Sequence, residues 1–178
     1  MIIILEGCDC CYKSTVAKQL SKKLDYKILR GSSFELAKGS QDSLYNYCFE
    51  LTKHENLIID RYIYSNLVYA TMFPGHAKLS DEQVSIIENK LLSKTKLIYL
   101  HARPEVIKER ILSRGDDQVN TKDIKPILKL YNEVIPKSKL HTYSFDTEIY
   151  GSEEIVEDVV YLVSEERISS LPQYSIQR

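Results

Sequence analysis

An excess of charge of either sign is the first thing that this sequence lacks. Its 24 Lys and Arg residues are balanced by 25 Asp and Glu residues, which gives a formal net charge of −1. Proteins that bind nucleic acid or a membrane surface through their overall charge carry a clear positive excess. The composition therefore gives no indication of a nucleic-acid or membrane partner, and any basic site must be local.

Long apolar runs are also missing. No run reaches the length of a transmembrane helix, and the chain enters an apolar strand at once, without the pattern of a signal peptide. The 178 residues, 43% of them hydrophobic, are enough for one well-buried domain, and no repeat or linker divides them. We expect a cytoplasmic protein with a single domain over residues 1–164 and a loose polar tail over residues 165–178.

Cysteine is scarce outside one short segment. Three of the four cysteines, Cys8, Cys10 and Cys11, stand close together, and no second Cys/His pair follows at zinc-ligand spacing. A disulfide there would lock a loop that has to close around a ligand. We therefore expect reduced thiols, as in an intracellular protein, and no zinc site.

The segment Ile2–Thr15 contains the clearest motif in the chain. An apolar run that suits a buried parallel strand leads into Gly7, and Lys13 and Ser14 follow at the spacing of the phosphate-loop pattern G-x-x-x-x-G-K-[ST]. In this pattern backbone N–H groups and a helix N-terminus hold phosphates, the lysine reaches the β and γ phosphates, and the hydroxyl binds Mg²⁺. We expect ATP and Mg²⁺ as cofactors.

Two residues of this loop depart from the pattern. Tyr12 occupies the position of the second glycine, and a non-glycine residue there costs about 1–2 kcal/mol if the backbone requires a positive φ. Asp9 places a negative charge inside a loop that must receive an anion. Both residues need a structural explanation.

Apolar runs alternate with helical patterns along the whole chain, which predicts a doubly wound α/β sheet. In such a sheet ligands bind at the carboxyl ends of the parallel strands. The predicted strands cover residues 1–5, 26–29, 57–59, 96–100 and 141–145.

Charged residues follow two of the predicted elements. Asp60 and Arg61 come directly after the third strand. Either Asp60 binds Mg²⁺ and Arg61 contacts an acceptor phosphate, or the two residues form a structural ion pair. Arg110 and Arg114 lie four residues apart, on one helix face, before the helix-breaking segment Gly115–Asp117. They are either ordinary solvated side chains or the cations of a mobile lid that stabilises charge on a transferred phosphoryl group.

Glu6, at the end of the first strand, has two interpretations. It is either a buried, hydrogen-bonded structural carboxylate or a general base that takes a proton from a substrate hydroxyl. A nucleoside substrate needs such a base, whereas a nucleotide substrate attacks through a phosphate oxygen that is already ionised.

With these residues in place, the chain resembles the thymidylate kinase family of P-loop nucleotide kinases over residues 1–163. The segment LEGCDCCYKST is similar to that family's E-G-x-D-G-x-G-K-S-T loop. It is more similar still to small kinase-like proteins of Bacillus phages and prophages, which carry Cys-Cys-aromatic-Lys-Ser-Thr and then G-S-S-F-E-L-A, as at Gly31–Ala37. The resemblance implies a three-layer P-loop NTPase fold, with a five-stranded parallel sheet in the order 2-3-1-4-5 and a short arginine-bearing lid.

The motifs and the resemblance together give a set of expected site residues. The expected catalytic residues are Glu6, Lys13, Arg61, Arg110 and Arg114. The expected cofactor-binding residues are Gly7, Cys8, Asp9, Cys10, Cys11, Tyr12, Lys13, Ser14, Thr15, Asp146 and Thr147. The expected substrate-binding residues are Asp9, Arg30, Phe34, Arg61, Tyr62, Ser65 and Tyr69, and the expected metal ligands are Ser14 and Asp60.

The chain departs from the family on the acceptor side. Ala70 stands where typical thymidylate kinases have a glutamine that contacts thymine, and residues 30–33 replace the family's Arg-Glu-Pro turn. The segment between that turn and Asp60 is shorter than in the family. The difference corresponds to one helix that helps to bind the acceptor in the family. The resemblance therefore supports membership of the family, but it does not support thymine as the base of the substrate.

Three functions follow from these observations. We expect an ATP- and Mg²⁺-dependent kinase for a deoxynucleoside monophosphate, with a pyrimidine as the expected base. The alternatives are a deoxynucleoside kinase that uses Glu6 as its base, and a nucleotide-binding module with little catalysis. Related kinases are often homodimers, and Leu67, Val68 and Met72 would serve either such an interface or the core.

Overall fold

The chain forms one sheet of five strands, all of them parallel. The computed structural model describes residues 1–31, 34–114 and 120–169. The spatial order of the strands is β2-β3-β1-β4-β5, which confirms the predicted order. The strands are β1 (Ile2–Glu6), β2 (Lys27–Arg30), β3 (Leu57–Asp60), β4 (Thr95–His101) and β5 (Thr142–Asp146).

Helices connect the strands and pack on both faces of the sheet. The chain moves to one side of β1 to form β2 and returns past β1 to form β4, and right-handed crossovers place these connections on opposite faces. The helices are α1 (Lys13–Leu24), α2 (Phe34–Ala37), α3 (Gln41–Leu51), α4 (Ile63–Met72), α5 (Asp81–Leu91), α6 (Pro104–Arg114), α7 (Ile124–Val134) and α8 (Ser152–Ser169). Helix α1 packs against α8, whereas α4 packs against α7. None of these helices, within the described part of the chain, is both long and apolar enough to cross a membrane.

The central strand β1 is buried over its whole length. Its four apolar residues, Ile2 to Leu5, have no exposed surface, as expected for a strand covered by helices on both sides. Burial of each such side chain contributes about 1.5–3 kcal/mol. Leu5 is in register with Asp60 of β3, and Glu6 with Tyr99 of β4, so the segments that follow these strands meet at one edge of the sheet.

The expected boundary of the tail at residue 165 falls inside a helix. Helix α8 continues to Ser169. Residues 170–178 lie outside the described residues.

Candidate active site

The loop between β1 and α1 depends on the glycine at its start. Gly7 has a φ of +138°, and a Cβ atom at this position would lie 2.0 Å from the carbonyl oxygen of Leu100 in β4. Cys10 and Tyr12 also have positive φ angles, of 57° and 61°. Tyr12 therefore occupies the strained backbone position that the phosphate-loop pattern reserves for glycine.

The first turn of α1 is arranged for an anion. Tyr12 at the N-cap makes no side-chain capping hydrogen bond, and Ser14 and Thr15 in the first turn are exposed. The unpaired N–H groups and the positive end of the helix dipole attract phosphate. The buried Lys13 side chain donates from Nζ to the carbonyl oxygen of Cys8. Burial lowers the pKa of Lys13, and the positive charge of Arg61 lowers it further.

Ser14 and Asp60 form the pair that was expected to bind a metal. The Ser14 hydroxyl donates to Oδ2 of Asp60 over 3.2 Å, although 46 positions separate the two residues. The other carboxylate oxygen, Oδ1 of Asp60, is buried and has no hydrogen-bond partner among the described residues. A hydroxyl and a carboxylate are the hard oxygen ligands that Mg²⁺ prefers, and the unpartnered oxygen fits this use.

Asp9, Arg61 and Tyr69 meet on the other side of the loop. Arg61 donates to Oδ1 of Asp9 at 2.6 Å, to the carbonyl oxygen of Gly7 at 3.1 Å and to the hydroxyl of Tyr69 at 3.1 Å. The guanidinium carbon lies 5.0 Å from the centroid of the Tyr69 ring, and the Tyr69 hydroxyl lies 3.1 Å from Oδ2 of Asp9. We call these three side chains the Arg61 cluster.

The Arg61 cluster explains how a carboxylate is accommodated in an anion-binding loop. Burial acts to raise the pKa of Asp9, but the charges of Arg61 and Lys13 and the hydrogen bond from Tyr69 outweigh it, so the pKa is lowered. Asp9 is therefore ionised and neutralised by Arg61. Arg61 itself has a φ of +63°, which turns the chain sharply after β3.

Arg110 connects the loop to the turn after β5. It donates to the carbonyl oxygen of Cys10 at 3.2 Å, and to the hydroxyl and the carbonyl oxygen of Thr147 at 2.8 Å each. Its guanidinium carbon lies 4.7 Å from the centroid of the Tyr12 ring. A lysine ammonium group is a compact charge and cannot make these hydrogen bonds from one planar group. The arrangement is therefore specific to arginine.

Arg114 lies on the same side of α6. Its guanidinium Nη1 is 4.0 Å from Sγ of Cys10, so both arginines face the loop, as their spacing predicts. The expected helix-breaking segment, Gly115–Asp117, lies outside the described residues.

Glu6 has a structural role in this geometry. It is fully buried, and it accepts hydrogen bonds from the backbone N–H of Tyr62 at 2.9 Å, from the N–H of Ser65 at 3.1 Å and from the Ser65 hydroxyl. Burial raises the pKa of Glu6, although the hydrogen bonds from Ser65 and Tyr62 oppose the rise. Because its oxygens are occupied by the first turn of α4, the expected role as general base does not fit this position.

Two expected substrate contacts are buried inside the protein. Tyr62 is fully buried and donates its hydroxyl to the carbonyl oxygen of Cys48 in α3, and Ser65 is occupied by Glu6. The Tyr62 side chain thus connects the start of α4 to α3.

The other expected residues lie at the rim of the site. Arg30 is exposed, and its carbonyl oxygen accepts from the Tyr47 hydroxyl at 2.7 Å. Asp146 accepts the N–H of Glu148 at 3.0 Å, in the turn that also holds Thr147. The side chain of Phe34 lies outside the described residues.

Tyr131 is a residue that the sequence did not indicate. From α7 its buried hydroxyl donates to the carbonyl oxygen of Gly7 at 3.2 Å and lies 2.8 Å from the hydroxyl of Ser65. It joins the phosphate loop to α4. In the sequence it is one apolar position of an amphipathic helix, so no motif could have identified it.

Comparison with known proteins places this site in a family. No family model matches the chain. The SPbeta prophage-derived protein YorR of Bacillus subtilis (strain 168) is 51% identical over 162 residues, which cover 91% of this chain and 98% of YorR. The chain belongs to the YorR family. The crystal structure of YorR in complex with phosphorylated GDP has a TM-score of 0.91 and 50% identity, and the match covers 94% of this chain and 98% of YorR.

More distant matches agree with a P-loop kinase-like family. A thymidylate kinase of Leptospira borgpetersenii serovar Hardjo-bovis (strain L550) is 25% identical over 195 residues, covering 89% of this chain and 90% of the kinase. A deoxyadenosine kinase of M. mycoides shares the fold, with a TM-score of 0.59 at 19% identity over 93% of this chain and 99% of that kinase. The YorR family thus has the fold of nucleotide and small-molecule kinases, and the expected similarity to Bacillus prophage proteins is confirmed.

Proposed function

We propose that this protein is a nucleoside monophosphate kinase that transfers the γ-phosphoryl group of ATP to the phosphate of its acceptor, with Mg²⁺. The observation that carries the proposal is the Arg61 cluster. It places a fixed cation beside a phosphate loop, while the one carboxylate expected as a base, Glu6, is held by α4. A site with a cation for the acceptor, in which Glu6 is held by α4 and Asp9 is neutralised by Arg61, suits an acceptor that is already a phosphate.

The donor half of the proposed reaction uses the start of α1. The N–H groups of the loop and the first turn hold the phosphates of ATP. Lys13 exchanges the carbonyl oxygen of Cys8 for the phosphate oxygens. Ser14 and Asp60 would hold Mg²⁺, and the ion would supply charge neutralisation for the phosphates of the donor.

The acceptor half uses the Arg61 cluster. The three hydrogen bonds of Arg61 to Gly7, Asp9 and Tyr69 use three of the five N–H groups of a guanidinium, which leaves two for the acceptor's phosphate. Asp9 and Tyr69 fix the orientation of the guanidinium before the acceptor arrives. This pre-organisation lowers the entropic cost of aligning the attacking oxygen.

The base of the acceptor is proposed from similarity. The resemblance to thymidylate kinases favours a deoxynucleoside monophosphate with a pyrimidine base. A guanine nucleotide is the second candidate, because YorR was crystallised with phosphorylated GDP. Ala70, in place of the thymine-contacting glutamine, is consistent with a base other than thymine.

An acceptor screen tests the proposal. Purified protein with ATP and Mg²⁺ is offered dTMP, dUMP, dCMP, dGMP and GMP, and in parallel the corresponding nucleosides, and the products are separated by chromatography. We expect a diphosphate product from at least one monophosphate and no product with Lys13→Ala. Phosphorylation of nucleosides alone would favour the nucleoside kinase, and ATP binding without any product would favour the binding module.

Arg61→Lys tests the acceptor contact within the same assay. Lysine keeps the charge but loses the fork that bonds Asp9 and a phosphate together, so we expect KM for the acceptor to rise roughly 10- to 100-fold, with KM for ATP little changed. Arg103→Lys is the matched control, because Arg103 is an exposed arginine that pairs with Glu148 and lies outside the Arg61 cluster. An equal rise in both KM values for Arg61→Lys would contradict the assignment.

A further inference from the structure

We propose that Tyr12 is a positioning residue for the donor nucleotide and that it acts by holding Arg110 in place. The inference rests on the proposed function, because it takes the loop from Gly7 to Tyr12 as the donor site. It concerns the residue that stands where the phosphate-loop pattern has its second glycine. Nothing in the chemistry of phosphate binding itself requires a ring at this position.

The backbone at Tyr12 is strained. Its φ of 61° and ψ of 1° lie in the left-handed region, which a tyrosine occupies only at a cost. Glycine would relieve the strain and would leave the N–H groups of the loop unchanged. A strained non-glycine residue in a binding loop suggests that its side chain has a use.

The side chain of Tyr12 contacts Arg110. Its ring lies under the guanidinium of Arg110, 4.7 Å from ring centroid to guanidinium carbon, a cation–π distance. The same guanidinium bonds the carbonyl oxygen of Cys10 on one side and the hydroxyl and carbonyl oxygen of Thr147 on the other. Thr147 is in turn buried and donates its hydroxyl to the carbonyl oxygen of His101 at 2.9 Å.

Arg110 is therefore a bridge between the phosphate loop and the turn after β5. In the proposed function the phosphates of the donor lie on this loop, whose carbonyl oxygen at Cys10 is bonded by Arg110. An arginine side chain loses much rotamer freedom when a ligand orders it, and the ring of Tyr12 restricts that freedom before binding. The ring thus holds Arg110 against the loop before nucleotide arrives, and donor affinity is the quantity that depends on it.

The experiment measures nucleotide binding to four variants by calorimetry, with Mg²⁺ and without acceptor. The ligand is first a non-hydrolysable ATP analogue and then the corresponding GTP analogue. Tyr12→Phe keeps the ring, Tyr12→Leu keeps bulk and strain without a ring, and Tyr12→Gly restores the motif. Arg110→Met removes both the fork and the charge over the ring, and it should itself weaken donor binding. We expect Tyr12→Phe to bind within about two-fold of the original protein, and Tyr12→Leu and Tyr12→Gly to bind roughly three- to ten-fold more weakly.

A double variant separates positioning of Arg110 from a general effect on the loop. If Tyr12 acts through Arg110, Tyr12→Leu should weaken binding no further when Arg110 is already methionine. In turnover assays KM for the donor should rise while KM for the acceptor does not. Melting temperatures of all variants establish that each one is folded.

The outcomes are distinct. Donor binding by Tyr12→Gly at the original affinity, or additive losses in the double variant, would overturn the inference and leave the proposed function standing. If the unaltered protein binds neither nucleotide analogue, the proposed function fails and the inference fails with it.

Discussion

Individual charges in this site are tolerated because each one is paired with a particular neighbour. The negative charge of Asp9 is neutralised by Arg61. The carboxyl group of Glu6 accepts hydrogen bonds from backbone N–H groups at the start of α4 instead of from water. The two carboxylates lie three residues apart in the chain, yet their pKa values shift in opposite directions. Burial dominates at Glu6, whereas the nearby cations dominate at Asp9.

The raised pKa of Glu6 predicts a pH-dependent contribution to stability. Above the ordinary value of 4.5, the unfolded chain releases the proton of Glu6 while the native protein still holds it. The native state then binds more protons than the unfolded state, so the stabilising contribution of Glu6 falls as the pH rises towards its raised pKa. The fall is at most about 1.4 kcal/mol per pH unit.

Urea unfolding of the protein and of Glu6→Gln at pH 5, 6, 7 and 8 measures this effect. The free energy of unfolding of the original protein, minus that of Glu6→Gln, should decrease with rising pH. The glutamine variant supplies the control, because every other titrating group is retained in it. A difference that stays constant across this range would show that Glu6 titrates alike in the folded and unfolded chain.

Elements were predicted better than the contacts between them. The strands and the capping box of Ser80 and Gln83 at the start of α5 follow from local patterns, and the structure has both. Helix α7 lies between two 3₁₀ turns, and the second, Ile135–Lys137, follows because Pro136 lacks the N–H that would continue the helix.

Several contacts that build the site cannot be read from the sequence pattern. The bond between Tyr131 and Gly7 spans 124 positions, and the bond between Glu6 and Tyr62 spans 56. The stacking of Arg110 on Tyr12 is equally non-local. Motif spacing places residues at the edge of a sheet, but only the packing of helices decides which side chain meets which. This is why Tyr62 and Ser65, which were expected to contact the substrate, are instead buried inside the protein.

Close packing between the ends of β2 and β3 makes Gly31 a sensitive position. A Cβ atom there would lie 2.5 Å from the carbonyl oxygen of Arg61 and 2.6 Å from the ring of Tyr62. We expect Gly31→Ala to cost about 1–3 kcal/mol in the free energy of unfolding and to displace Arg61, which raises KM for the acceptor. Gly151→Ala is the control, since its Cβ would meet only Glu154 at an ordinary 3.5 Å. Equal stability of the two variants in urea would contradict the packing argument.

At the scale of the molecule, the topology brings the functional residues to one edge. The order β2-β3-β1-β4-β5 places β1 in the centre, so the phosphate loop lies between the Arg61 cluster after β3 and the Arg110 bridge near β5. Of the three apolar residues considered for a dimer interface, Val68 is fully buried in the core. Leu67 and Met72 are partly exposed. A measurement of the oligomeric state would test the prediction that they form a dimer interface.

Because the donor site joins elements from across the sheet, nucleotide binding should stabilise the whole protein. A ligand at 100 times its Kd adds about 2.7 kcal/mol to the free energy of unfolding, which for a chain of this size raises Tm by roughly 5–10 °C. We expect this rise with ATP and Mg²⁺ in a thermal melt, and a smaller one with ATP and EDTA, because Ser14 and Asp60 then have no metal to share with the phosphates. Lys13→Ala should abolish most of the rise, whereas Lys18→Ala, an exposed lysine of the same helix, should retain it. A rise of the same size in both lysine variants would mean that ATP binds elsewhere than at the start of α1.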